Sequence, residues 1–120
     1  MLSWPPTVRI YLAAGPADMW RGFDGLARMT TEVIRQDPLC GALFVFRNRR
    51  GDRIKVLHWA GDGFALSYRR LERGTFRFPA CEGDAAEIRA VDLTMILEGI
   101  NLASARRRPR YARPPAVTTS

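Results

Sequence analysis

Between Gly41 and Pro79 the chain is punctuated by glycines at intervals so short that only brief strands and tight turns fit between them. The run Ala42–Arg47 is apolar on both faces, Leu43 and Val45 on one and Phe44 and Phe46 on the other, which predicts a strand covered on both sides. Asn48-Arg49-Arg50-Gly51-Asp52 follows as a hairpin loop with glycine where a positive φ is wanted. Arg53–Trp59 is the return strand, Gly61-Asp62-Gly63 turns again, and Phe64–Arg70 alternates apolar with polar. Glu72-Arg73-Gly74 makes a third turn into Thr75–Phe78, closed by Pro79, so the pattern predicts a four-strand antiparallel meander. The register of the second hairpin stays open. A three-residue loop sets Trp59 opposite Ala65 and Lys55 opposite Arg69, whereas a two-residue loop on Asp62-Gly63 sets Lys55 opposite Arg70 and exchanges the faces of one strand.

The flanks supply helices and one more strand at each end. After the Trp4-Pro5-Pro6 lead, Val8–Ala13 reads as a first strand, broken at Gly15-Pro16. Phe23 to Gln36 predicts a helix capped by Asp24, with Leu26, Met29, Val33 and Ile34 on one face and Asp37-Pro38 as the stop. Glu87–Ala90 reads as a short strand, and Asp92 as the cap of a short helix carrying Leu93, Ile96 and Leu97 and stopped by Gly99. The expected fold class is α+β: a small antiparallel β-meander sheet packed by one helix after the first strand, a short C-terminal helix, and a disordered basic tail. Residues 1–103 form a single α+β domain and 104–120 the Arg/Pro-rich tail, with five arginines, three prolines and no acidic residue. No run of about 18 apolar residues occurs, so no membrane span is expected, and the N-terminus does not read as a signal peptide. A cytoplasmic protein is the expectation.

The charge is sorted along the chain. Residues 1–46 are neutral, 47–77 carry nine cations against three carboxylates, 78–103 are net acidic, and the tail is basic again within a total of +7. A compact sheet so charged is a surface suited to an anion. Arginine outnumbers lysine 18 to one, and guanidinium forks match phosphate and base edges better than ammonium does. The candidate nucleic-acid contacts are Arg47, Arg49, Arg50, Arg53, Lys55, Arg69, Arg70, Arg73 and Arg77, with Trp59 or Tyr68 available to stack on a base where exposed. Arg106, Arg107, Arg108 and Arg110 in the tail extend the same electrostatic reach. The rival reading is an interaction module that docks a protein partner, because arginine is also enriched at protein interfaces.

Catalytic constellations fail on spacing. Two-metal phosphodiester hydrolysis needs clustered carboxylates, yet Asp52 and Asp62 sit at opposite ends of one predicted strand, roughly 30 Å apart by strand rise. His58 is the single histidine and lies mid-strand; Ser67 opposes or flanks it, without a third member or an oxyanion hole. Cys40 and Cys81 are read as reduced thiols, too few for a zinc site even with His58. No helix follows Gly61-Asp62-Gly63 to make it a phosphate cradle, and neither a Walker pattern nor a dinucleotide fingerprint is present. The expectation is a chain that is not an enzyme, with no cofactor, metal or small-molecule substrate.

One further pattern runs through the chain. Asp18-Met19, Arg21-Gly22-Phe23-Asp24-Gly25-Leu26 and Phe44-Val45-Phe46-Arg47-Asn48-Arg49-Arg50-Gly51-Asp52-Arg53-Ile54-Lys55 are joined by Asp62-Gly63-Phe64, Tyr68, Arg70-Leu71-Glu72 and Gly74-Thr75-Phe76. In this order they resemble the TnpB-type accessory proteins of the insertion-sequence-sixty-six family, the second open reading frame of those bacterial elements. The likeness spans roughly residues 5–102. It implies a role in transposition beside a separate transposase that carries the cutting and joining chemistry, with DNA and that transposase as expected partners. The alternative within the same family is a module that docks the transposase without touching DNA. Trp20 stands where the family commonly has arginine, and Ala60 where an aspartate often follows the tryptophan. Neither the segment 18–22 nor the turn at Gly61 is therefore assigned a polar role.

Overall fold

A computed structural model describes residues 7–101 and 106–107. The two-faced apolar run becomes β2 (Leu43–Arg47), and it lies at the centre of a five-stranded sheet. Its neighbours are β1 (Ile10–Ala13), β3 (Arg53–Trp59), β4 (Phe64–Arg70) and β5 (Ala85–Ile88), in the order β4-β3-β2-β1-β5. β1 pairs parallel with β2, and every other pairing in this sheet is antiparallel. A parallel pair needs a crossover, which α1 (Phe23–Met29) supplies together with the π-helical turn Thr30–Ile34 that continues it. Leu43 to Phe46 are fully buried, as a strand covered on both faces must be.

The side-chain period of two splits the core into two layers. On one face Ile10, Leu12, Leu43, Val45, Ile54 and Val56 pack under Leu93 and Ile96 of α2 (Ala90–Glu98) and under Phe76. On the other, Tyr11, Ala13, Phe44, Phe46 and Leu57 pack under Leu26, Ile34 and Ala17, with the Tyr11 and Phe44 rings stacked at 5.7 Å. The α+β class therefore holds, with a helix on each face of the sheet.

Four local expectations are corrected. Thr75–Phe78 is not a strand. The Leu71 and Phe76 amides donate to the Asp52 and Gly51 carbonyls at 2.8 Å each, so the segment after β4 leaves the sheet edge and folds over the first hairpin. It seats Phe76 in the core, with Leu71, Phe78 and Cys81 half-buried around it. The first helix starts at Gly22 without a side-chain cap, and Asp24 lies in its first turn instead. Its end is Arg35 in the left-handed region (φ 64°), two residues before Asp37-Pro38. The hydroxyls of Thr30 and Thr31 take the carbonyls of Leu26 and Ala27, and such insertion into the helical ladder accompanies its widening to a π turn. In α2 the N-cap is Arg89, whose side chain cannot accept a hydrogen bond, and Asp92 at N3 supplies the cap by accepting the Arg89 amide at 2.9 Å. Gly99 at φ 77° ends that helix as expected.

The second hairpin adopts neither foreseen register. Trp59 faces Phe64 and Lys55 faces Tyr68, because the loop holds four residues, Ala60–Gly63, with the Ala60 amide bonded to the Gly63 carbonyl at 2.8 Å. β6 (Ile100–Asn101) and β7 (Arg106–Arg107) form a separate antiparallel pair, while Trp4–Pro6 and the tail beyond 107 lie outside the described residues. Cys40 and Cys81 are free thiols.

Candidate nucleic-acid interface

Register decides which cations can meet. Arg53, Lys55, Trp59, Tyr68 and Arg70 point to the α1 side of the sheet, and Arg47 and Arg69 to the α2 side, so the nine meander cations do not share one face. Several already have partners inside the fold. Arg47 Nη2 donates to the Ala14 carbonyl at 2.7 Å, and its guanidinium lies 5.5 Å from the centre of the Phe78 ring. Arg69 donates to the Leu97 carbonyl at 3.2 Å, in the last turn of α2. Arg70 pairs with Glu72 at 3.6 Å on the surface. Trp59 is half-buried, edge-on to Phe64 at 5.1 Å, whereas Tyr68 is exposed. Arg73 and Arg77 are exposed on the segment that crosses the hairpin. Arg106 and Arg107 lie in β7; Arg108 and Arg110 fall outside the described residues.

Lys55 is the most changed by folding. It is only 9% exposed, its Nζ donates to the carbonyls of Met19 at 2.6 Å and Arg21 at 2.9 Å, and it lies 5.1 Å from the Tyr68 ring centre. Its charge holds a loop and is not offered to solvent. An ammonium with three donors suits two carbonyls and a ring face better than a planar guanidinium would.

The hairpin tip is built around Asn48. The Asn48 side-chain oxygen accepts the amides of Gly51 and Arg53 at 3.0 Å each, and its nitrogen donates to Asp52 Oδ1 at 2.7 Å. Gly51 takes φ 78°, which few other residues tolerate. The Asn48 bond holds the Asp52 carboxyl below the usual range, and the nearby charges of Arg50 and Arg53 push the same way. The tip thus presents Arg49 and Arg50 on a pinned backbone, both exposed, with Arg53 half-buried at its base.

Opposite the tip stands the loop before α1. Ala17 donates to the Arg47 carbonyl at 2.7 Å, Asp18 Oδ1 accepts the Trp20 amide at 2.9 Å, and Lys55 grips the carbonyls on either side of Trp20. Loop and hairpin enclose an open cleft of about 410 Å³ lined by Pro16–Trp20, Asn48, Arg49, Arg50 and Arg53. Trp20 is 93% exposed on its rim. Sequence pattern alone left this segment without a role. The missed signal was a tryptophan among glycine, proline and polar residues, without an apolar period to bury it.

With this geometry in place, the comparison with known proteins is decisive for kinship. The pattern of the family described as "IS66 Orf2 like protein" matches residues 8–107. The chain belongs to the IS66 Orf2-like family. Two uncharacterized proteins of Sinorhizobium fredii (strain NBRC 101917 / NGR234) are similar to it. One, y4hO, is 43% identical over 101 residues, covering 84% of this chain and 88% of its own length. The other, y4jC, is 34% identical over 110 residues, covering 92% and 93%. No solved structure matches. Membership supports an accessory role in transposition for this IS66 Orf2-like chain.

Among the described residues no cluster of three or more His, Cys, Asp or Glu side chains could hold a metal ion. His58 faces Ala65, with Ser67 diagonal to it opposite Val56, and His58 Nδ1 lies 3.5 Å from the Ala42 carbonyl. Among the described residues no helix is long and apolar enough to cross a membrane.

Proposed function

We propose that this protein is a non-catalytic accessory factor of insertion-sequence transposition that acts in the cytoplasm by binding DNA, beside the element's transposase. The observation that carries the reading is the pinned hairpin tip. Arg49, Arg50 and Arg53 meet in one cleft, and among the described residues none of them forms an ion pair; the neighbouring Asp52 carboxylate accepts a hydrogen bond from Asn48 instead. Three guanidinium groups held on rigid backbone match phosphate oxygens better than the same groups on a mobile loop.

DNA affinity measured against salt tests this. Each phosphate neutralised contributes about −0.9 to the log–log slope on duplex DNA, so Arg49→Ala/Arg50→Ala should flatten the slope by about 2. A slope near zero, or one unchanged in the double variant, removes the DNA reading. Retention of the transposase by the chain at high salt without DNA would then point to the docking role.

A further inference from the structure

The rim of the cleft holds a side chain that a phosphate contact does not explain. Trp20 is far more exposed than the other large apolar side chains left on the surface, Phe23, Leu39, Tyr68 and Val91, which are all near half. A full indole carries about 150–250 Å² of apolar-rich surface, so leaving it in water forgoes substantial burial energy. The surrounding backbone is nevertheless well fixed. The Asp18 carboxylate closes a turn onto the Trp20 amide, and Lys55 reaches from the sheet to the carbonyls of Met19 and Arg21. The backbone that carries the ring is therefore fixed on both sides of it. None of the cation–π pairs among the described residues involves Trp20, so its faces are not taken by the neighbouring arginines.

We propose that the cleft is a nucleotide subsite in which Trp20 stacks on one unpaired base of single-stranded DNA while Arg49, Arg50 and Arg53 hold the flanking phosphates. This rests on the DNA-binding reading and adds to it a preference for unpaired strand. The chemistry is that of single-strand binding: an aromatic platform for a π-face beside a cationic track for the backbone. A base inside a duplex is stacked on both sides and cannot offer its face to Trp20 without leaving the helix. The cleft volume of about 410 Å³ lies in the range of small-ligand pockets, roughly 300–1,000 Å³. Among the residues lining the cleft the only carboxylate is Asp18, whose Oδ1 is bonded to the Trp20 amide, while Asp52, next to Arg50 and Arg53 but outside the lining, is bonded to Asn48.

The test compares three probes of equal length on the full chain: a thymine oligodeoxynucleotide, an abasic oligomer with the same phosphates, and a duplex. Trp20→Ala should weaken thymine-oligomer binding about 5- to 150-fold, the range for loss of one stacked base, and leave abasic and duplex binding and their salt slopes unchanged. Trp20→Phe should recover part of the loss. An exposed site should tolerate both changes, and thermal unfolding at the parent temperature checks that it does. If all three probes bind and Trp20→Ala changes none of them, the stacking subsite is wrong and the DNA reading survives. The subsite is equally wrong if thymine and abasic oligomers bind the parent equally, or if Trp20→Ala abolishes only transposase retention. If no probe binds with a salt slope, the DNA reading falls and the subsite with it.

Discussion

Replacing Lys55 by methionine removes an ammonium and keeps most of the stem, so it isolates what the charge does. The structure gives Lys55 Nζ two carbonyl acceptors, Met19 and Arg21, and a tyrosine ring 5.1 Å away. Hydrogen bonds from a charged group contribute about 1.5–3 kcal/mol each, and the ring contact about 0.5–1 kcal/mol at an exposed tyrosine. Two effects oppose that sum. The variant no longer has to desolvate an ammonium, and the two loop carbonyls regain water once released. A net loss of about 2 kcal/mol follows, which for a domain of this size is roughly an 8–16 °C fall in Tm. Urea denaturation with an unchanged m-value is the measure. Loosening of the 16–21 loop should appear as faster amide exchange at Trp20 and Arg21, at or near the bonded carbonyls. If Lys55→Met unfolds at the parent midpoint and instead lowers the DNA salt slope, Lys55 is a phosphate contact and the strut is wrong.

Phe76 is buried from a segment without regular structure, so Phe76→Ala should cost about 3–5 kcal/mol; a loss below about 1 kcal/mol in urea would mean residues 71–80 do not pack on the sheet. Asn48→Ala deletes three side-chain bonds worth about 1 kcal/mol each, partly replaced by water, and should destabilise by about 2 kcal/mol while weakening DNA binding through a loosened tip. An Asn48→Ala chain with parent stability would show that the loop holds itself. Asp52, Asp92 and Glu87 have carboxyl groups held below their ordinary 3.8, 3.8 and 4.5, by Asn48, Arg89 and Arg9 respectively. Because the folded values are depressed, the unfolded chain binds more protons on acidification. Their stabilisation is present above those ordinary values and is lost as pH falls through the folded ones. Tm should therefore hold steady from neutral pH and drop below about pH 4, with a shallower drop in Asp52→Asn; an identical acid profile in that variant would remove Asp52 from the account.

The strands were legible because their signals are local. β3 and β4 begin and end where alternation and glycine said they would, and the two-faced run of β2 announced a central strand before any partner was known. What escaped depends on contacts between distant segments. Thr75–Phe78 has a strand's composition, but its amides find better acceptors in the first hairpin's loop, and no local pattern reports that choice. The second hairpin's register turned on one extra loop residue, Ala60, and with it went the pairing of Lys55. The cleft was invisible for the same reason. Trp20 and Arg49 are 29 positions apart in sequence, and the loop carrying Trp20 is tied to the sheet by the Ala17 amide on the Arg47 carbonyl and by Lys55, counted as a free cation.

That reassignment changes the expected electrostatics. Of the nine meander cations, Lys55, Arg47 and Arg69 are tied to backbone carbonyls, and Arg70 to Glu72. Arg49, Arg50, Arg53, Arg73 and Arg77 remain among the described residues without an ion pair. Arg21, Arg28 and Arg35 are also exposed and without an ion pair among the described residues. If all five met phosphates on duplex DNA together with these three, the folded part could supply a log–log salt slope of about −7, the weak surface pairs at Arg9, Arg70 and Arg89 aside. Any steeper slope has to come from the arginines beyond residue 103, five of them in the sequence. Changing Arg106, Arg107, Arg108, Arg110 and Arg113 to glutamine should then bring a steep slope down to that ceiling and leave the effect of Arg49→Ala/Arg50→Ala intact. A slope well beyond about −7 that survives the tail substitutions would mean the internal partners release their arginines on binding. In that case the division into structural and contacting cations drawn from the free chain is wrong.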